Sequence, residues 1–333
     1  MSANQRMNIQ TSKFGRGAME EVDGLIRVHR DGTVERISKI PNVSCYSQQY
    51  RNVTCRDVYV ERSINLWARV YVPNMGHKLP LIVYFHGGGF CVGSAAWSCY
   101  HEFLCKLSST AGCAIVSVNY RLAPENRLPQ AYEDALTAVK WVAQQGVHGS
   151  FEQRWWANYC NFSSLFLAGD SAGANIAYNV TAKLTSFINI CGLILIQPFF
   201  GGEARNAAER SSVATKGSDC ALTLSAADTF WRLSLPFGAN RDHPYCNPLA
   251  EGPAKLQRLP IPPTMVCVSE MDMLMERDLA FCGSLAGAGK KVEIYMYKGV
   301  GHAFQILPVS EISLVKTLEM VYHIQYFVNR YGG

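Results

Sequence analysis

The sequence has no apolar run long enough to cross a membrane. Its longest, "INICGLILIQPFF" at 188–200, stops short of the about 18 residues that a spanning helix needs. The first residues, "MSANQRMNIQTSKFGRGAMEEVDG", lack the apolar core of a secretory signal, so the expected location is cytoplasmic. Basic residues are not clustered either. With a net charge of +5 and no lysine- and arginine-rich run interleaved with aromatics, nothing tracks a phosphate backbone, and no nucleic-acid partner is expected. Twelve cysteines occur without a single C-x-x-C pair, which removes the usual zinc and dithiol motifs. Cys113, Cys191 and Cys267 lie in apolar, strand-like runs where a reduced thiol packs as a small hydrophobe. Also missing are proline-rich or glycine-serine linkers, repeats and low-complexity tracts. One domain is therefore expected over 1–333, with 1–50 as an N-terminal lid segment and about 200–250 as an insertion contributing to a pocket.

What the sequence does contain is an alternation of apolar runs with helical patterns, the sign of βα units and a mainly parallel sheet in an α/β fold. Strands are expected at 56–62, 66–73, 79–87, 113–120, 164–169, 191–198, 263–270 and 292–299. Helical patterns fill the gaps, among them "PQAYEDALTAVKWVAQQ", "AGANIAYNVTAKL", "ERDLAFCGSLAGAG" and a terminal "ISLVKTLEMVYHIQYFVNRY". Upstream, "LIRVHRDGTVERI" alternates about Asp31-Gly32 and predicts a hairpin with a two-residue type I′ turn. The first 20 residues carry little pattern. Trp231, in the helical part of the 200–250 insertion, is a possible pocket residue.

The chemistry is concentrated in a few short motifs. Gly169-Asp170-Ser171-Ala172-Gly173 fits the nucleophile elbow G-x-S-x-G, with a strand before it and a helix after it. A serine hydroxyl is a poor nucleophile at neutral pH. It needs a base to accept its proton and an acid to fix the tautomer of that base. Only His302 and His323 follow every plausible acid; His323 lies inside the terminal helical pattern, whereas His302 sits in "GVGHAF" directly after the last strand. Asp272 is the favoured acid because it follows the seventh strand at the sheet edge where functional side chains gather, with Glu270, Glu276 and Asp278 as competitors. "YFHGGGF" follows the third strand and supplies an oxyanion loop: the N–H groups of Gly88 and Gly89 join that of Ala172, while His86 and Gly87 have structural roles. Two other stretches are decoys. "AGAGKK" lacks the spacing and the Ser/Thr of a phosphate loop, and "RDHPYCNP" offers too few ligands for a metal. No metal or organic cofactor is expected.

Together, "HGGGF", "NYRLAPENRLPQAYEDA", "GDSAGANIA", "EMDMLMERD" and "GVGHAF" resemble the plant carboxylesterases of the hormone-sensitive-lipase-like branch of the α/β hydrolases, from about residue 20 to the end. The resemblance implies a mostly parallel eight-stranded sheet with helices on both faces and a lid. It implies Ser171, Asp272 and His302 as a catalytic triad acting on a small-molecule ester, and the glycine motif as the oxyanion hole. One departure is Ala174, where the family pattern has a third glycine. The branch also includes dehydratases or cyclases of plant natural products and the gibberellin receptor, a binding protein that has lost the catalytic histidine. Here His302 is present. Serine carboxylesterase is the leading expectation and a lyase, cyclase or decarboxylating esterase of specialised metabolism the alternative. A receptor comes last.

Overall fold

The computed structural model describes residues 18–37, 40–45, 52–76, 78–148, 151–184, 188–212 and 221–333. Parts of the expected lid segment and of the 200–250 insertion lie outside these residues.

Runs rich in valine, isoleucine and leucine become strands buried on both faces, which is why they show little polar alternation. A small antiparallel sheet comes first, formed by β1 (Ala18–Val22), β2 (Ile26–His29) and β3 (Val34–Arg36). The large sheet contains β4 (Val53–Glu61), β5 (Leu66–Pro73), β6 (Leu79–Phe85), β7 (Ala114–Asn119), β8 (Cys160–Asp170), β9 (Gly192–Ile196), β10 (Thr264–Ser269) and β11 (Val292–Tyr297). Its order is β11-β10-β9-β8-β6-β7-β5-β4, with β4, β5 and β7 joined by antiparallel pairings and all other neighbours parallel. The helices are α1 (Ser98–Ala111), α2 (Gln130–His148), α3 (Arg154–Ala157), α4 (Ala172–Thr181), α5 (Ala207–Ser212), α6 (Leu224–Ser234), α7 (Pro253–Arg258), α8 (Met275–Gly287) and α9 (Glu311–Tyr331).

Strand periodicity divides the core into two layers. On β6, Leu81, Val83 and Phe85 face α2, α4 and α8, while Ile82 and Tyr84 face α1 and α9. The same alternation recurs on β8 and β10, where Leu167 and Val266 belong to the first layer and Phe166 and Met265 to the second. The sheet is thus covered on both sides; within it the buried Arg69 of β5 pairs with Asp57 of β4 at 2.6 Å, and other polar side chains gather at the carboxyl ends of the parallel strands. No helix among the described residues is long and apolar enough to cross a membrane.

Three local expectations need correction. Asp31-Gly32 turns the hairpin with a three-residue loop instead of a type I′ turn. Gly32 alone in that loop takes positive φ, at +85°, its N–H donates to His29 O at 3.0 Å, and Asp31 Oδ1 accepts the Thr33 N–H at 2.9 Å. A type I turn closed by a left-handed glycine is the next commonest hairpin solution, and the aspartate's bond two residues on favours it. Strand β1 forms where the sequence shows little pattern, because pairing with β2 rather than its own periodicity holds it. Cys113 and Cys267 are fully buried, but Cys191 is only partly so: it precedes β9 and its Sγ donates to Ser163 O at 3.1 Å.

Ion pairs hold the small sheet and the insertion over the strand ends. Arg232 of α6 meets Glu20 of β1 at 2.8 Å and Arg36 meets Glu125 at 2.6 Å. Asp228 of α6 is shared by Arg205 and Arg241, each at 2.6 Å.

Candidate active site

Five consecutive parallel strands, β6 and β8 to β11, deliver their following residues to one edge, as open α/β sheets do at their carboxyl ends. After β8 the chain must reverse into α4 within one residue. Ser171 takes that position at φ +51° and ψ −119°, a conformation that side-chain-bearing residues adopt only where the surroundings enforce it. Enforcement comes from β9: the Ser171 N–H donates to Ile196 O at 2.8 Å and Ser171 O accepts the Phe199 N–H at 3.0 Å. Gly173 lets helix and strand approach, since a Cβ there would stand 1.9 Å from Phe85 O. Ala174 is fully buried in the core, so its methyl group packs without reaching the strand ends.

The structure brings Ser171, His302 and Asp272 together. His302 Nε2 lies 2.9 Å from Ser171 Oγ, and Nδ1 lies 2.6 Å from Asp272 Oδ2. A carboxylate can only accept, so Nδ1 carries the proton and Nε2 is left to accept from the serine hydroxyl. Burial pulls the His302 pKa down, but the charge and hydrogen bond of Asp272, with help from Asp170, outweigh it and raise the pKa above the ordinary imidazole value. The other Asp272 oxygen accepts the Leu274 N–H at 3.0 Å, which fixes the carboxylate in the β10–α8 turn. The competing acids are engaged elsewhere. Glu270 accepts from Gly299 N–H at 3.0 Å and Glu276 from Ala207 N–H at 2.9 Å. Asp278 is fully buried on α8, and burial together with the nearby Asp272 holds its carboxyl well above the usual range. His323 sits on α9, with Nδ1 3.0 Å from Tyr297 OH and its ring stacked on Tyr295.

The glycine loop after β6 curls over Ser171. Gly88 has φ +107°, and a Cβ there would stand 2.2 Å from Val92 O. Its carbonyl accepts the N–H groups of both Cys91 and Val92 at 3.0 Å, which turns the loop so that its own N–H groups are left over. Among the described residues those of Gly88 and Gly89 have no acceptor. His86 stands behind the loop: its Nδ1 donates to Gly87 O at 2.8 Å and its ring stacks on Tyr120 at 4.3 Å. Burial drops its pKa to about 4, so it stays neutral.

Sequence reasoning overlooked Asp170 as a functional residue. Its Oδ1 accepts Tyr84 OH at 2.8 Å and the Gly87 N–H at 3.1 Å, and its Oδ2 accepts Tyr100 OH at 3.0 Å. The carboxylate therefore ties the nucleophile's strand to the glycine loop. A signal was available, because an acid at the end of a buried strand demands partners. Tyr84 and Tyr100 could not be read out, since in sequence they look like two of many core aromatics.

A narrow cavity of about 100 Å³ opens above Ser171. Leu25 and Ile40 enter from the N-terminal segment, Leu222 and Phe230 from the insertion, and Trp97 and Ile306 from the body. Asp170, His302 and Tyr100 are the ionisable side chains among its described lining residues, and burial holds the Tyr100 phenol well above its usual range. Trp231, expected as a possible pocket residue, does not line this cavity. It is 2% exposed and stacks on Phe199 at 4.5 Å, because one step along α6 rotates it about 100° from Phe230 into the core. A larger hollow of about 430 Å³ beside Tyr59, Arg62 and Trp141 lies at the β4 edge, away from these residues. Among the described residues no group of three or more His, Cys, Asp or Glu side chains is arranged to hold a metal ion.

A family model described as the alpha/beta hydrolase fold matches residues 82–306. The chain belongs to the α/β-hydrolase family. Within it the chain is a member of the hormone-sensitive-lipase-like branch to which plant carboxylesterases belong. A protein named probable carboxylesterase 6, from Arabidopsis thaliana, is 46% identical over 335 residues, spanning 97% of this chain and 95% of that protein. Tuliposide A-converting enzyme 2, chloroplastic, from Tulipa gesneriana is 32% identical over 301 residues, spanning 88% of this chain and 75% of its own length. Among solved structures, the hyperthermophilic esterase of the archaeon Pyrobaculum calidifontis superposes with a TM-score of 0.69 at 28% identity, covering 86% of this chain and 85% of that one. The eight-stranded, mostly parallel sheet with helices on both faces is the architecture of that family.

Proposed function

We propose that Ser171, His302 and Asp272 hydrolyse a carboxylic ester through an acyl-enzyme. The chain is a carboxylic ester hydrolase, in keeping with its carboxylesterase and esterase relatives. Ser171 Oγ attacks the ester carbonyl carbon as His302 Nε2 takes its proton, and Asp272 stabilises the imidazolium that results. The carbonyl oxygen becomes an oxyanion held by the N–H groups of Gly88, Gly89 and Ala172, each worth about 3 kcal/mol of barrier. Collapse expels the alcohol, which leaves with the proton from His302. Water then attacks the acyl carbon, His302 takes its proton and returns one to Ser171, and the acid departs.

The observation that carries this reading is the unbroken chain from Asp272 to His302 at 2.6 Å and from His302 to Ser171 at 2.9 Å. The lining of the cavity supports a small, uncharged ester, here proposed to come from plant metabolism. We place the activity in the cytoplasm, in a single α/β-hydrolase domain whose lid comes from 1–50 and about 200–250. Purified protein is expected to cleave p-nitrophenyl acetate and butyrate, and Ser171→Ala to abolish that turnover; unchanged hydrolysis by the variant would remove the serine from the mechanism.

A second reading is elimination or cyclisation of a natural product at the same residues; relatives named as tuliposide A-converting enzymes support a natural-product substrate without naming the reaction type. Product mass separates the two, since only hydrolysis adds a water.

A further inference from the structure

Gln197 follows β9 at φ +47°, a region that a side-chain-bearing residue occupies only under constraint, and it is 1% exposed. Its amide oxygen accepts the Ala303 N–H at 2.7 Å, and its amide nitrogen donates to Gly301 O at 3.3 Å and to Ser269 Oγ. One side chain therefore holds the backbone on both sides of His302. The same short segment holds the nucleophile, through Ile196 O and the Phe199 N–H on the two sides of the Ser171 backbone. It also reaches the acid, because Ser269 O accepts the Asp272 N–H at 3.2 Å.

We propose that Gln197 is a positioning residue for the proposed hydrolysis, a tie that sets the His302 imidazole against Ser171. The inference rests on the hydrolytic reading above. Ala303 N–H can only donate and Gly301 C=O can only accept, so the bridging group must offer an acceptor and a donor from one planar head. An amide does this; a carboxylate satisfies one side and a thioether neither. The strained backbone at residue 197 gains a purpose, since it swings the side chain from the end of β9 across to the β11 loop. Without the tie the loop keeps its links to the end of β10, from Met271 N–H to Val300 O at 3.0 Å and from Gly299 N–H to Glu270 at 3.0 Å, but both stop short of Gly301, and the two residues that flank His302 lose the side chain that holds them. A shift of about 1 Å at a reacting pair can cost about a hundredfold in rate.

The test is Gln197→Met, which keeps the volume and removes both bonds to the His302 loop together with the one to Ser269. Against p-nitrophenyl acetate, kcat is expected to fall about thirtyfold with KM within about twofold of wild type. Phosphorylation of Ser171 by diethyl p-nitrophenyl phosphate, which needs the serine-histidine pair but little of the acyl cavity, should slow in parallel. Gln197→Glu keeps the acceptor for Ala303 but loses the donor side, so its kcat should lie about fivefold below wild type, between wild type and the methionine variant, and it decides the question if the methionine variant is insoluble. A kcat within about twofold of wild type in either variant, or a loss carried by KM alone, overturns the proposal. A wild-type protein that neither cleaves the ester nor is phosphorylated instead overturns the hydrolytic reading, and this inference with it.

Discussion

Replacing Asp170 by asparagine should stabilise the fold at alkaline pH while slowing the reaction. Asp170 is 1% exposed, and burial pushes its carboxyl from 3.8 up to about 6 against the opposing pull of Tyr84, Tyr100, His302 and the Gly87 N–H. A rise of about 2 pKa units means that ionising this group costs the folded state about 3 kcal/mol more than the unfolded chain. The sign follows from where the proton is held. With the folded pKa above the unfolded one, the native state keeps the proton longer, so stability falls as pH rises from about 4 to about 6 and levels off above that. Asparagine imitates the protonated acid in size and charge and carries no such dependence. The difference in unfolding free energy between wild type and Asp170→Asn should therefore move by about 2.5 kcal/mol in favour of the variant between about pH 4 and pH 8, with somewhat more than half of that change above pH 5. Urea unfolding of both proteins followed by tryptophan fluorescence across that range measures it. The rate should respond in the opposite direction. Asparagine turns an N–H group toward the Tyr100 hydroxyl and removes a negative charge that favours protonated His302, so kcat should drop about tenfold. A stability difference that stays constant over this pH range would refute the reasoning about burial, and an undiminished kcat the role in tying the glycine loop.

Two further perturbations probe the site. Hydrolysis requires neutral His302, so the rate should fall as pH drops through a value above the ordinary imidazole pKa; Asp272→Asn removes the main raising influence and leaves burial, moving the acid limb of kcat/KM to lower pH while cutting kcat by about 10⁴. Phe230→Ala should enlarge the cavity where the ring covers Gly89, shift the acyl preference from acetate toward hexanoate in a graded p-nitrophenyl series, and lower stability by about 3 kcal/mol; an unchanged chain-length profile would take Phe230 out of the acyl site.

The strands were legible because apolar runs of buried parallel sheets stand out against helical periodicity, and the eight expected strands are the eight of the large sheet, apart from a few residues at their ends. Strand β1 was not, since its stability comes from a partner strand instead of from its own pattern. The elbow could be read because five adjacent residues meet local steric demands, such as the approach of Gly173 to Phe85. Asp170 was visible as a polar residue at a buried strand end, but its work depends on two tyrosines that reach it from β6 and α1. Trp231 and Phe230 are adjacent aromatics, and composition alone does not say which faces the cavity.

By itself the sequence determined the βα order, the strand-turn-helix around Ser171 and the glycine loop, because each is a short-range matter of periodicity, backbone sterics and missing side chains. Only the tertiary structure decided which of four acids meets His302, which aromatic lines the cavity and that Gln197 spans the histidine loop. Those outcomes depend on how five strands align at one edge, and the bonds concerned join residues as far apart as Ser171 and His302, 131 positions along the chain.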